Sequence, residues 1–282
     1  MKCDFHIHSL HSGDGQASIY EMCRAAASKG FSAVCFTEHH DLGLFSQETQ
    51  AYIEKNMPGF APFRIEDPKA YQREVIKARE DFPELEVLLG VELGAASLMD
   101  EGGLDIIELL PLDYLLISCH DAGGIDPYLR LCYEGRERVQ VIEAYLKSMH
   151  DGMLAAQSFD GLAHIGYVYR YIKRYGLYGE DGWRYNAGDC PEILDAVLKM
   201  VIEKGAALEV NMSGWGEGYS MPDIAVLKRY VHLGGEAAIY ASDAHRPEDI
   251  GRYYREALEI MKASGVKYLA EYRQRKKTFT KI

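Results

Sequence analysis

The stretch MKCDFHIHSLHSGDGQASIYEMCRAAASKGFSAVCFTEHH, residues 1–40, decides the architecture. Its first run, 1–7, reads as a strand. Ser18 followed three residues on by Glu21 is a capping-box pattern that opens a helix, and Gly30 closes it. Residues 31–37 are apolar and strand-like again. Two such strands joined through a helix pair in parallel, because a hairpin cannot make that crossover. The unit then repeats. The pattern predicts strands at 86–91, 114–119, 161–165, 206–211 and 237–242. It predicts helices at 68–81, 135–150, 191–204 and 222–232, and a last one starting near Pro247. About seven β–α units imply a parallel sheet covered by helices. With no linker or low-complexity break between them, a closed or nearly closed barrel is favoured over an open sheet. Barrels of this class run to roughly 250 residues as one unit, so 1–282 is expected to be a single domain.

Composition narrows the partners. The net charge is -12 and the pI about 5.3. That field repels polyphosphate backbones, which excludes nucleic-acid binding by bulk electrostatics. A small anionic substrate remains compatible if bound cations reverse the potential locally. The six cysteines form no CxxC pair, and Cys35 and Cys119 sit in apolar runs, as expected of buried thiols in a reducing compartment. No signal peptide and no apolar run near 18 residues is evident. A cytoplasmic protein without a membrane partner is therefore expected. The oligomeric state is not readable.

On this frame the ionisable residues converge. His6 and His8 end the first strand, two apart and so on one face. His39 follows the second strand, Glu92 ends the third, His120 the fourth and His164 the fifth. Asp243 and His245 end the seventh, and Asp14 lies in the loop after the first. These nine positions fall on the C-terminal rim, where barrels of this kind place their chemistry. They include six of the chain's ten histidines. Clustered imidazoles and carboxylates without a cation cost several kcal/mol in desolvation and repulsion, so a metal site is expected. His6, His8, Glu92, His120, His164 and Asp243 suffice for two metals bridged by Glu92, an order similar to that of amidohydrolase barrels. Asp14, His39 and His245 are surplus to such a centre and can supply a third ion.

The chain also resembles the polymerase-and-histidinol-phosphatase (PHP) family, and closely its histidinol-phosphatase branch. The matching pieces are DFHIHSLHSGDG at 4–15, FTEHHD at 36–41, GVELG at 90–94, ISCHDAGG at 117–124, LAHIG at 162–166, LEVNMSG at 208–214 and SDAHRPEDIG at 242–251. The resemblance implies a distorted seven-stranded (β/α)7 barrel, similar to a TIM barrel, with a trinuclear site. It assigns His6, His8, Glu92 and Asp243 to one ion, Glu92, His120 and His164 to a second, and Asp14, His39 and His245 to a third. Many members carry His where this chain has Asp14. That oxygen donor favours Mn or Fe somewhat over Zn. Two or three divalent ions (Zn, Fe or Mn) are expected.

Such a site suits hydrolysis of a phosphate monoester. A hydroxide held by the metals of Glu92, His120 and His164 would attack, and His40 is a candidate to protonate the leaving group. No GxSxG or Walker motif offers another route. Arg246, beside His245, is a candidate phosphate clamp, with an ion pair to Glu248 or Asp249 as the bland reading. Asn211 and Ser213 end the sixth strand and can line the pocket. The Tyr- and Arg-rich segment 167–190 offers Arg170, preferred over Arg174 and Arg184, as a phosphate contact. Asp41, Asp121 and the tyrosines of this segment are candidates to hold a cationic substrate end. The expected reaction is L-histidinol phosphate to L-histidinol and phosphate, in histidine biosynthesis. The alternatives are a nucleotide or sugar phosphate as substrate, or a metal-binding regulatory module without turnover.

Overall fold

The computed structural model describes residues 2–41, 47–57, 63–95, 105–186 and 188–282; Met1, placed in the first strand by its sequence, lies outside them. Among the described residues eight strands run in parallel in chain order, the first seven being β1 (Cys3–Ile7), β2 (Ala33–His40), β3 (Glu86–Gly94), β4 (Tyr114–Ser118), β5 (Gly161–Leu162), β6 (Ala207–Asn211) and β7 (Ala237–Ala241). Around them lie α1 (Ile19–Ser28), α2 (Gln47–Asn56), α3 (Pro68–Asp81), α4 (Asp105–Leu109), α5 (Arg138–Ala155), α6 (Tyr167–Arg174), α7 (Pro191–Glu203), α8 (Ile224–His232) and α9 (Tyr254–Ser264). The Ser18–Glu21 capping box starts α1, and Asp67 caps α3 ahead of its Pro68.

The sheet closes where His8 N–H donates to Ala244 O at 2.8 Å and Asp243 N–H to His6 O at 2.9 Å. That seam joins only the C-terminal ends. At its start β7 pairs instead with β8 (Tyr268–Arg273), so the barrel is distorted by an inserted strand. β8 turns back antiparallel into β9 (Lys276–Lys281). This hairpin was not expected from the sequence, and α9 starts at Tyr254, with only a 3-10 turn at Pro247–Asp249.

The hairpin closes the N-terminal mouth. Its two-residue turn, Gln274 and Arg275, has φ of 51° and 64°, the twist a tight hairpin wants, here without glycine. Asp113 holds the turn by accepting from both backbone N–H groups, and the Arg275 guanidinium pairs with Asp160. Asp160 is buried, and burial pushes its carboxyl up while Arg275 pulls it back down. Arg275→Ala is expected to cost about 1–3 kcal/mol, because it orphans part of a buried carboxylate. A urea titration would check it, with the midpoint lowered and the slope unchanged.

Inside the barrel, Cys3, Phe5, Cys35, Leu88, Tyr114 and Ile239 pack with Tyr272 of the hairpin as an apolar floor. Five of the six cysteines are buried and none is paired. Among the described residues no helix is long and apolar enough to cross a membrane.

Candidate metal centre

Strand parity lifts the functional side chains off that floor. In β2 the inward positions Ala33 and Cys35 lead to His39, and in β3 Leu88 leads to Glu92. His39 lies directly beside Glu92 in the register. His39 and His40 thus belong to β2 itself. β1 breaks parity, since Cys3 and Phe5 face the floor and yet His6 and His8 reach the site. A register shift between Asp4 and Ile7 makes the difference, as an extra residue re-aims the side chains after it. His164 and Asp243 also leave their strands irregularly, with φ of 21° and 54°.

Glu92 is the centre. Its Oε2 lies 3.1 Å from His6 Nε2, 3.4 Å from His8 Nε2 and 2.9 Å from His39 Nδ1. Its Oε1 lies 3.0 Å from His164 Nε2 and 3.4 Å from His120 Nε2. Asp243 Oδ1 is 3.7 Å from His6 Nε2 and 3.5 Å from His8 Nε2, and the two imidazole nitrogens are 3.0 Å apart. Donors bound at 2.0–2.2 Å around a tetrahedral ion lie roughly 3.3–3.6 Å from one another. The five separations among His6, His8, Glu92 and Asp243 cluster about that edge length. On the far side Asp14 Oδ2 is 3.1 Å from His245 Nε2 and 3.6 Å from His39 Nε2, while Asp14 Oδ1 is buried without a hydrogen-bond partner. His8, His39 and His245 also converge within 4.8 Å, as do His6, Glu92 and His164.

The electrostatics fit a cation. Burial disfavours charge on His6, but Glu209, Glu92 and Asp243 raise its pKa well above the ordinary value. His8 is driven well below by burial and by His39 and His245. Burial opposes ionisation of Glu92, yet His39 and His6 hold it well below the carboxylate range. The cluster therefore demands positive charge, as protons or as metal.

The far nitrogens of three histidines are held as metal-bound imidazoles require. His8 Nδ1 is 2.9 Å from Ser12 Oγ, which donates to buried Glu38 and accepts from His39 N–H at 3.0 Å. His120 Nδ1 is 3.0 Å from Asp41 Oδ2. Gly94 leaves room for that carboxylate, since a Cβ there would come within 2.4 Å of Asp41 Cγ. His6 Nδ1 is 2.7 Å from Glu209 Oε2. Glu209 escaped the sequence reading. The available signal was a carboxylate inside LEVN, in step with Asn211; the structure buries it fully.

Not every expected residue lies in the cluster. Arg246 pairs with Asp249 at 2.9 Å, the ion pair weighed against a phosphate contact. His40 points to the opposite side of β2 from His39, where its charged neighbours are Asp41, Arg64 and Asp105. Asn211 spends its amide on Glu209 and its oxygen on Ser213. Asp121 accepts from Gly124 N–H and Ser148 Oγ. Arg174 stacks on Tyr128 and Arg184 on Trp183, away from the cluster. Arg170 does face it, with Nη2 on Ser213 Oγ at 2.5 Å and 3.6 Å from Asp243 Oδ2. It rides on α6 with Tyr167, whose ring lies 4.7 Å from that of His120.

A distorted α/β barrel with imidazoles and carboxylates gathered on its C-terminal rim defines a metal-dependent hydrolase type of site. The sequence profile of the PHP domain matches residues 4–213. The chain belongs to the PHP domain family. It is 30% identical over 268 residues to the "Probable histidinol-phosphatase" of Clostridium acetobutylicum, covering 95% of each chain. The Lactococcus lactis histidinol-phosphatase is 23% identical over 279 residues, covering 96% of this chain and 94% of that one. A crystal structure of histidinol phosphate phosphatase from L. lactis, complexed with zinc, L-histidinol and phosphate, superposes with a TM-score of 0.81 at 22% identity, covering 98% of both chains.

Proposed function

We propose that the protein hydrolyses L-histidinol phosphate to L-histidinol and phosphate, with two or three divalent ions held by the cluster around Glu92. The observation that carries this is the single buried carboxylate of Glu92 serving two sets of imidazoles, with Arg170 3.6 Å from the neighbouring Asp243. His6, His8, Glu92 and Asp243 would hold one ion, Glu92, His120 and His164 a second, and Asp14, His39 and His245 a third. Zinc, manganese and iron all suit this mixture of nitrogen and oxygen donors. Bound there, the ions would supply Lewis acidity and ionise a water near neutral pH. The chain's own part is to orient and to exclude. Arg170 presents a fixed cation to the phosphoryl oxygens. Tyr167 and Tyr171, whose hydroxyls meet at 3.0 Å, wall the organic end beside His120. The L-histidinol and phosphate bound in the L. lactis structure and the names of the relatives support histidinol phosphate in particular.

The test is side-by-side kinetics. Histidinol phosphate is expected to exceed AMP and a sugar phosphate at least about tenfold in kcat/KM. That margin needs only about 1.4 kcal/mol of differential transition-state binding. Equal or better values for AMP would remove the histidinol assignment and leave a phosphatase of other specificity.

A further inference from the structure

The geometry points to Glu209 as a positioning residue that ties two of the metal sites together through one buried carboxylate. The inference rests on the metal-centre reading above and goes beyond its ligands. Glu209 lies on β6, on the far side of His6 from Glu92. Its Oε2 is 2.7 Å from His6 Nδ1. Its Oε1 accepts the backbone N–H of His164 at 3.1 Å and the Asn211 amide at 2.9 Å. The two histidines turn their Nε2 atoms to opposite oxygens of Glu92, at 3.1 and 3.0 Å. Glu209 and Glu92 thus bracket His6 and His164 from both sides.

Each contact does separate work. A carboxylate on Nδ1 keeps the proton there and leaves the Nε2 lone pair free for metal. His164 needs a different hold. β5 is only two residues long, and His164 follows it at φ 21°, a backbone pose that β-sheet pairing does not maintain. Its N–H bond to Glu209 fixes the departure, while Nδ1 of the same ring has no partner. The sequence could not place Glu209 at both, since residues 6, 164 and 209 meet only when the barrel closes.

A glutamine here cannot replace the glutamate. It has one acceptor where Glu209 uses two. If its oxygen meets His6, its NH2 faces the His164 N–H. If its oxygen meets His164, its NH2 faces His6 Nδ1 and drives the proton to Nε2. Either way one histidine is lost to its ion, and Glu92 couples that loss to the other. Aspartate keeps the charge but is a methylene too short to span both partners.

The experiment measures metal, not turnover. Zinc affinity of the full chain is titrated against a chromogenic chelator for wild type, Glu209→Gln and Glu209→Asp. Both variants are expected to bind about 10–100-fold more weakly. In the zinc-loaded wild type, histidine-labelled with 15N, the His6 Nδ1 proton is expected as a slowly exchanging, strongly downfield resonance that is shifted upfield or lost in both variants. Affinity within twofold of wild type in Glu209→Gln overturns the proposal. Full affinity in Glu209→Asp overturns it too, by reducing the role to charge. Should the variants fail to fold, the wild-type spectrum decides: a zinc-loaded protein without a proton on His6 Nδ1 refutes it. Wild type that takes up no metal sinks the metal-centre reading itself and this inference with it.

Discussion

Replacing Glu92 with alanine is expected to lower kcat by at least about 10³-fold, roughly 4 kcal/mol of transition-state stabilisation. The size follows from its two faces. One oxygen serves His6, His8 and His39, and the other serves His120 and His164. Glu209 also reaches one member of each set, but only at the far nitrogen of His6 and the backbone N–H of His164. Its loss also leaves buried imidazoles facing one another without the anion that reconciles them. Chelation of the wild type should have the same effect, and zinc, manganese or iron should restore activity to the wild type but not to the variant. His120→Ala should behave similarly. His150→Ala, on α5 and paired with Asp151 at 3.2 Å, should stay within about twofold. Steady-state kinetics with metal analysis would decide. A verified metal-free sample with full turnover, or a larger loss for His150 than for Glu92, would reject the site as drawn.

The rim was legible because strand ends carry their own punctuation. Their places at the ends of the second and third strands put His39 and Glu92 on the rim, and the structure sets them side by side. The frame of helices was legible for the same reason, with α3 at its predicted bounds and α1 capped by the predicted box. What was not legible depends on contacts distant in sequence. The β8–β9 hairpin reads as a charged tail, because its lysines and arginines look solvated until Asp160 and the carbonyls of Gly205 and Ala206 are brought beneath them. The shift in β1 has no composition signal, since Cys3 and Phe5 and then His6 and His8 all suit an inward face. Arg246 stayed open between a phosphate contact and an ion pair because its nearest anion, Asp249, lies only three residues on. Arg170 was legible only as one of three arginines in a dense segment. Its place in the first turn of α6, beside Tyr167 and near Asp243, singles it out, since Arg174 on the same face lies a turn further on against Tyr128.

Arg170→Ala is therefore expected to lower kcat/KM for a phosphate monoester by about 10²-fold, the scale of losing one fixed donor at a reacting phosphoryl group. The guanidinium is held before substrate arrives. Ser213 accepts from Nη2, Asp243 lies 3.6 Å away, and the Tyr167 ring lies 5.5 Å beneath. Asp243 raises the already high pKa of Arg170 against the pull of burial, so its charge is permanent. An arginine so placed meets a dianion without first being ordered, and that saving appears in the transition state. Arg170→Lys should recover only part of the loss, since a single ammonium cannot keep Ser213 and two phosphoryl oxygens together. Arg246→Ala is the contrast. Its ion pair with Asp249 lies on the exposed side of the turn, and kcat/KM should change by less than about threefold. Metal content should match wild type in both alanine variants, which separates loss of phosphate binding from loss of the ions. The opposite ranking, with Arg246→Ala crippled and Arg170→Ala intact, would move the phosphate to the other side of Asp243 and require a different approach of substrate to the rim.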